Sequence, residues 1–297
     1  MLSFAILGGL SSSLLFTPSI SAIGHWFRHR RGLATGVAFT GGSMGGAIFP
    51  LIIVYLAPKI GFPWAIRAIG FVSAVMVTIS CILLQTRLPL DSKAGVMIDV
   101  KALRDVKYGM TTLAVFFIEF AVFILLTYIS SYAIHSGMPA QKAYLLVTYL
   151  NAASVVGRAV PGYFADRFGR FNVMASTSLV CSLFIFSLWA LSKSNEASIT
   201  VFAIIFGFWS GTAVGLAPVC IAQVCRIEDL GKRNGTTFAI SSFGALIGIP
   251  IAGAILNQSS TNYLGLIMFG GTLYVAGAIT FAVTRGIAGG WALRVIF

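Results

Sequence analysis

GVAFTGGSMG, from Gly36 to Gly45, and GTTFAISSFG, from Gly235 to Gly244, read as two copies of one segment, with the same nine-residue step between their outer glycines. Each is preceded by a basic turn and, before that, by a glycine-to-proline run: Gly9 to Pro18 in the first copy, Gly207 to Pro218 in the second. Each is followed by a proline, Pro50 and Pro250, the second falling one residue later. A parallel duplication of this size in a hydrophobic chain implies two related helix bundles, the construction of a secondary transporter.

Hydrophobic residues make up 58% of the chain and charged ones 9%, against about a quarter charged in soluble domains, so the chain is an integral membrane protein. A formal charge of +12 would suggest nucleic acid in a soluble protein, but here the basic residues sit in short turns between apolar runs, with no aromatic-interleaved basic face. No nucleic-acid partner is expected. Cys81, Cys181, Cys220 and Cys225 lie in or beside apolar runs without ligand spacing and are expected to pack in the core. Neither a metal nor a cofactor is expected. The first apolar run has no basic leader and exceeds a signal-peptide core in length, so it reads as a spanning helix.

About 20 apolar residues cross a bilayer as a helix. By that measure nine spans are predicted, at 3–25, 32–56, 64–85, 111–135, 143–163, 171–191, 199–224, 235–256 and 263–284, giving an all-α, polytopic helix bundle. With the N-terminus of the chain outside and the C-terminus cytosolic, the inner turns collect Arg28, Arg30, Arg31, Arg87, Lys93, Lys101, Arg104, Lys107, Arg167, Arg170, Arg226, Lys232, Arg233, Arg285 and Arg294. Lys59, Arg67, Lys142 and Lys193 fall on the other side, and fifteen against four satisfies the positive-inside rule.

The repeat matches the first span with the seventh and the second with the eighth, a period of six helices. Twelve spans would complete two copies. The expected organisation is therefore the last three helices of a first bundle in residues 1–85, a polar cytosolic linker of mixed charge in 86–110, and a six-helix bundle in 111–297. The opening three helices are expected to be missing, with Met1 an alternative start, a misread gene boundary or the edge of a fragment.

In lipid, small residues that let backbones touch are the main packing device. Gly32, Gly36, Gly41, Gly42, Gly45 and Gly46 in the second span, Gly207, Gly211 and Gly215 in the seventh, and Gly244 and Gly248 in the eighth are the candidates, either as static contacts or as faces that slide. Pro18, Pro50, Pro161, Pro218 and Pro250 lie inside spans and are hinge candidates.

An ionisable residue inside the hydrocarbon costs roughly 2.5–3.5 kcal/mol on insertion scales and is by default a functional candidate. Glu119 and Arg158 qualify, at similar predicted depth. The planar fork of Arg158 suits a carboxylate, or the side chain snorkels to the cytosolic interface. Glu119 serves proton coupling or charge balance, or else partners a backbone or tyrosine group. Asn151, Tyr128 and Tyr149 are candidate polar contacts of a cavity. His135 titrates near neutral pH or is a solvated helix end.

GYFADRFGR, from Gly162 to Arg170, resembles the signature turn of the major facilitator superfamily. GHWFRHRRGLATGVAFTGGSMGGAIFP, from Gly24 to Pro50, and VVGRAVPGYFADRFGRFN, from Val155 to Asn172, resemble the monocarboxylate porters of that superfamily, the fungal ones in particular. The resemblance spans the whole chain as helices four to twelve. It implies that Asp166, Arg167 and Arg170 form a charged clamp at a cytosolic gate, with Gly162 and Gly169 allowing tight packing and a turn. It also implies that Arg158 takes part in substrate and proton coupling. Porters often carry an acid one turn before that arginine, where this chain has Ser154. Arg28, Arg30 and Arg31 can hold the inner side closed, though a topology signal explains them as well.

These readings predict proton symport of a small organic anion, a monocarboxylate or similar, by alternating access, in the plasma membrane. Export of a fungal secondary metabolite is the close variant. A fragment that transports nothing is a third reading. Catalysis has little support: the chain has 3 histidines, His25, His29 and His135, and no nucleophile motif or metal-ligand cluster. A channel lacks a filter-like re-entrant segment.

Overall fold

The computed structural model describes residues 2–27, 29–85, 98–192, 195–258 and 262–290. Arg28, Arg87, Lys93, Lys193 and Arg294, with most of the expected linker, lie outside the described residues. Nine long helices are described: α1 (Leu2–Trp26), α2 (Arg31–Ile60), α3 (Phe62–Leu83), α4 (Val106–His135), α5 (Ala140–Phe168), α6 (Arg170–Phe184, extended by a π-helical turn at Ile185–Trp189), α7 (Glu196–Gln223), α8 (Leu230–Gln258) and α9 (Leu264–Gly289). Each is long and apolar enough to span a bilayer. All nine coincide with the spans predicted from hydropathy.

Local chemistry explains where several helices begin and end. Asp99 accepts the amide of Ala102 and so starts a short 3-10 turn at Val100–Arg104. Asp105 then accepts the amide of Lys107, which caps α4 and starts it before the apolar run itself. Gly169, at φ +93°, stops α5 and turns the chain directly into α6, a conformation open to glycine at little cost.

Packing divides the helices unevenly. In α4 and α7, 56% and 61% of the spanning window is buried, against none in α3, so the packed core belongs to α4–α9. Trp189, Tyr108, Tyr274, Phe171, Phe202, Phe206 and Phe281 fill it. Cys181 and Cys220 are buried there as expected, but Cys81 is exposed, because nothing in the described residues packs over that face of α3. The first three helices join the core chiefly through α2, which runs along α5 and also meets α7, while α1 lies on α8. The duplication equates α1 with α7 and α2 with α8, so the α1–α8 and α2–α7 contacts are one contact made twice with the copies exchanged.

The crossings of α5 are made by backbone. A Cβ on Gly157 would strike the carbonyl of Phe208 in α7, one on Gly207 the carbonyl of Leu150, and one on Gly36 the carbonyl of Arg158. Gly211 admits Ser154, while Gly244 admits the Phe116 ring at 2.9 Å. Gly45 is different: a Cβ there meets Phe49 of its own helix at 3.6 Å, so it makes no crossing. Gly36 and Gly235 do not share surroundings, since Gly235 only faces the Thr17 methyl at 3.8 Å. The reciprocity lies in the helix contacts rather than in these two glycines.

Overpacking a tight crossing costs about 1–3 kcal/mol when neighbours can yield and more when the neighbour is a carbonyl. Gly157→Ala is therefore expected to lower the melting temperature in detergent by several degrees, whereas Gly41→Ala, where nothing lies within 4 Å of the added carbon, leaves it unchanged.

Candidate functional site

A cavity of about 940 Å³ opens between the helices, lined from α1 by Ser12 and Phe16, from α2 by Phe39 and Gly42, from α4 by Glu119 and Phe123, from α5 by Arg158, from α7 by Val214 and from α8 by Phe238 and Ser241. Because α4 starts at Val106, Glu119 lies about 20 Å along that helix from its N-terminal end. Because α5 runs on to Phe168, Arg158 lies about 15 Å from its C-terminal end. Each is further from its helix end than the hydropathy spans 111–135 and 143–163 placed it.

Arg158 does not run out to the interface. Its Nη1 donates to the Phe39 carbonyl at 2.7 Å, and its guanidinium carbon stands 5.8 Å from the Phe39 ring centroid. Gly42 leaves room for Nη1, and Gly215 leaves room for the aliphatic stem. Nε is buried without a hydrogen-bond partner. Glu119, 7% exposed, faces the same cavity and makes no hydrogen bond or ion pair among the described residues. The two are too far apart for a salt bridge, yet each is the charge the other feels. Ser154, at the position where porters often carry an acid, turns to α2 and accepts from the Ser43 hydroxyl at 3.0 Å. The acid nearest to serving Arg158 is thus on a different helix.

Where the N-terminal end of α2 meets the C-terminal end of α5, Gly32 and Gly162 touch backbone to backbone, and a Cβ on either would lie 2.7 or 2.6 Å from the other's carbonyl oxygen. One turn on, Asp166 accepts the amides of Gly32 and Leu33, both at 3.0 Å, and pairs with Arg170 at 3.2 Å. The first amides of a helix have no partner within it, and Arg30, at the N-cap of α2, supplies no side-chain cap. The signature turn therefore caps α2 from another helix and sets a carboxylate on its positive end. Arg167 stands outside this clamp, stacked over Tyr163 at 4.8 Å. Toward their other ends α2 and α5 part around a second cavity of about 810 Å³ that includes Val54 and Tyr144.

Arg31, grouped by sequence with Arg28 and Arg30 as either a closing charge or a topology signal, is set apart by its burial and its contacts. It is 5% exposed. Its guanidinium donates to the carbonyls of Gly24 at 2.8 Å, Phe27 at 3.0 Å and Ala222 at 3.1 Å, which ties α2 to the C-terminal ends of α1 and α7. Those two helices are equivalent in the duplication, and their last carbonyls want a cation. Arg30 is exposed beside it. In the turn after α7, burial pushes the Cys225 thiol up to about 11, so it is no reactive nucleophile.

The other candidates fall elsewhere. Asn151 is outside the first cavity, donating to the Val147 carbonyl at 2.9 Å and packing against Gly46. Tyr128 donates to the Ile249 carbonyl at 3.0 Å and joins α4 to α8. Tyr149 is exposed, and His135, at the C-terminal end of α4, lies against the Tyr263 ring.

The sequence pattern of the Major Facilitator Superfamily matches residues 1–226. An MFS-type transporter of Penicillium oxalicum is 37% identical over 99% of this chain and 69% of its own length. A riboflavin transporter of Saccharomyces cerevisiae is 36% identical over 98% of the chain and 60% of its own length, and an aspyridones efflux protein of Emericella nidulans is 34% identical over 92% and 57%. The crystal structure of the Escherichia coli fucose:proton symporter superposes with a TM-score of 0.68 at 16% identity, covering 91% of this chain and 73% of that one, and so shares the fold. The chain belongs to the Major Facilitator Superfamily of transporters, and it spans roughly three-fifths to two-thirds of the length of these relatives.

Capping and carbonyl contacts of this kind are worth about 1–2 kcal/mol each. In a background without native cysteines, a Thr35→Cys reporter, at a site 2% exposed, is expected to be alkylated about tenfold faster when Arg31→Ala or Asp166→Ala is added.

Proposed function

We propose that this chain carries the solute site of a proton-coupled transporter for organic anions of monocarboxylate type, working by alternating access between a first bundle ending near residue 85 and a second beginning near 111. One observation carries the reading: Arg158 and Glu119, a buried cation and a buried acid, face one cavity without pairing to each other. A carboxylate takes the donors of Arg158 that no protein group uses, and the fork geometry holds both its oxygens. A proton on Glu119 removes the negative charge that would repel the incoming anion, so anion and proton enter together. With the site neutral, the two bundles rock about the α2–α5 and α1–α8 contacts, and opening the Asp166 and Arg31 contacts exposes the cavity to the inner side. Asn151, off the first cavity, serves the α2–α5 contact in this scheme.

Export of a secondary metabolite is the second reading, favoured by the many phenylalanines on the cavity wall and by the efflux protein among the relatives. Both readings place the protein in the plasma membrane with Arg170 cytosolic and Ser136 outside. Impermeant reagents on intact cells are expected to label a cysteine at Ser136 and to miss one at Arg170; the opposite pattern rejects the orientation.

The coupling scheme is tested by uptake of labelled carboxylates into proteoliposomes with and without an inward proton gradient. Arg158→Ala is expected to lower uptake about hundredfold, the scale for leaving a buried charge-assisted contact unmade. Glu119→Gln is expected to keep uptake while abolishing its response to the gradient. Unchanged uptake in the first variant, or unchanged pH response in the second, rejects the corresponding role.

A further inference from the structure

The aromatic wall of the cavity is organised by the same duplication that organises the helices. Phe39 and Phe238 occupy the same place in the two copies, each the fourth residue of its segment, GVAF and GTTF. Phe16, from α1, meets both edge-on, with ring centroids 5.8 Å from Phe39 and 5.2 Å from Phe238. Phe39 is buried in the wall and Phe16 is 40% exposed, and all three rings line the cavity. The three rings come from three helices, and two of the helices, α2 and α8, belong to opposite copies of the repeat.

The cation stands on this platform. The guanidinium of Arg158 lies over the Phe39 ring and is held by the carbonyl of that same residue. A second polar group faces the same space: Ser241, from α8, lines the cavity at 3% exposure, and its hydroxyl has no hydrogen-bond partner. A buried hydroxyl left unpaired is costly unless something arriving in the cavity satisfies it.

We propose that the solute is a planar aromatic carboxylic acid bearing a polar ring substituent, rather than a short aliphatic one. The inference rests on the assignment of Arg158 as the anion contact. The carboxylate meets Arg158, the flat body stacks in the angle formed by Phe16, Phe39 and Phe238, and the ring substituent bonds Ser241. Aromatic pairs prefer offset-stacked or edge-to-face geometry, and a flat ring can satisfy all three phenyl groups where a puckered one of equal size cannot. Because Phe39 and Phe238 lie on helices of different copies, their separation changes as the bundles rock, and the clamp loosens as the site changes sides.

The test is equilibrium binding to the purified chain in lipid nanodiscs, using naphthoate, its saturated counterpart decahydronaphthalenecarboxylate, the neutral naphthalenemethanol, and hydroxynaphthoate. Naphthoate is expected to bind about tenfold more tightly than decahydronaphthalenecarboxylate, and Phe16→Leu or Phe238→Leu to reduce that preference by roughly threefold to tenfold. Arg158→Ala weakens both acids together and leaves their ratio alone. Ser241→Ala removes the advantage of hydroxynaphthoate over naphthoate and changes nothing else. Equal binding of naphthoate and decahydronaphthalenecarboxylate, or a ratio untouched by either phenylalanine variant, overturns the aromatic clamp while leaving the anion site standing. Naphthalenemethanol binding as tightly as naphthoate, with the same dependence on Phe238, overturns the anion site while leaving the clamp. Failure of all four probes to bind overturns both.

Discussion

The structure depends on how closely the backbone of α5 can approach the backbones of α2 and α7. Lipid offers no hydrophobic reward for pressing helices together, so contact must come from shape and from weak polar contacts between main chains. Gly157 and Gly207 let α5 and α7 touch, and Gly36, Gly32 and Gly162 let α2 and α5 touch. Everything chemical on α5 inherits its position from these crossings. Arg158 lies one residue beyond Gly157, with Gly36 against its carbonyl, Gly42 beside its guanidinium and Gly215 beneath its stem. A side chain at any of these positions would lift the arginine from Phe39 or push it off the cavity wall.

The same crossings bring the helix ends within reach of charge. Once Gly32 and Gly162 are in contact, Asp166 arrives at the unpaired amides of α2, and the carboxylate can balance the helix end and Arg170 together. Arg31, just before that contact, reaches the terminal carbonyls of α1 and α7. The contact between these helix ends thus rests on a backbone crossing and on two charges, the partly buried Asp166 and the buried Arg31, satisfied largely by main-chain groups.

Much of the architecture was legible because the bilayer makes composition and length decisive. Nine apolar runs could only be nine helices, since a spanning segment must satisfy its own backbone hydrogen bonds. The ends were less legible: Asp105 extends α4 and Gly169 stops α5, and each acts through local chemistry that a hydropathy window averages away. Glu119 and Arg158 stood out because charge in hydrocarbon is rare. Whether they met, and what else they faced, depended on helix rotation. The predicted place of Arg167 in the clamp is not taken up: Arg167, beside Asp166 on α5, stacks on Tyr163, while the turn at Gly169 brings Arg170, the first residue of α6, back onto Asp166.

Arg31 and the phenylalanine trio were the hardest to see. Arg31 reads like its neighbours Arg28 and Arg30 as a topology charge, and only the positions of Gly24 and Ala222 set it apart. Phe39 and Phe238 were present as matched letters in the repeat, but a match says nothing about what lies between the copies. The amino-acid sequence by itself determined that there are membrane helices, where they run and that they repeat, because transfer into lipid depends on residue type and length. Which charges face a cavity, which tie helix ends together, and which rings line the cavity wall were decided by tertiary structure, because they depend on the rotation and crossing of helices that glycine contacts set.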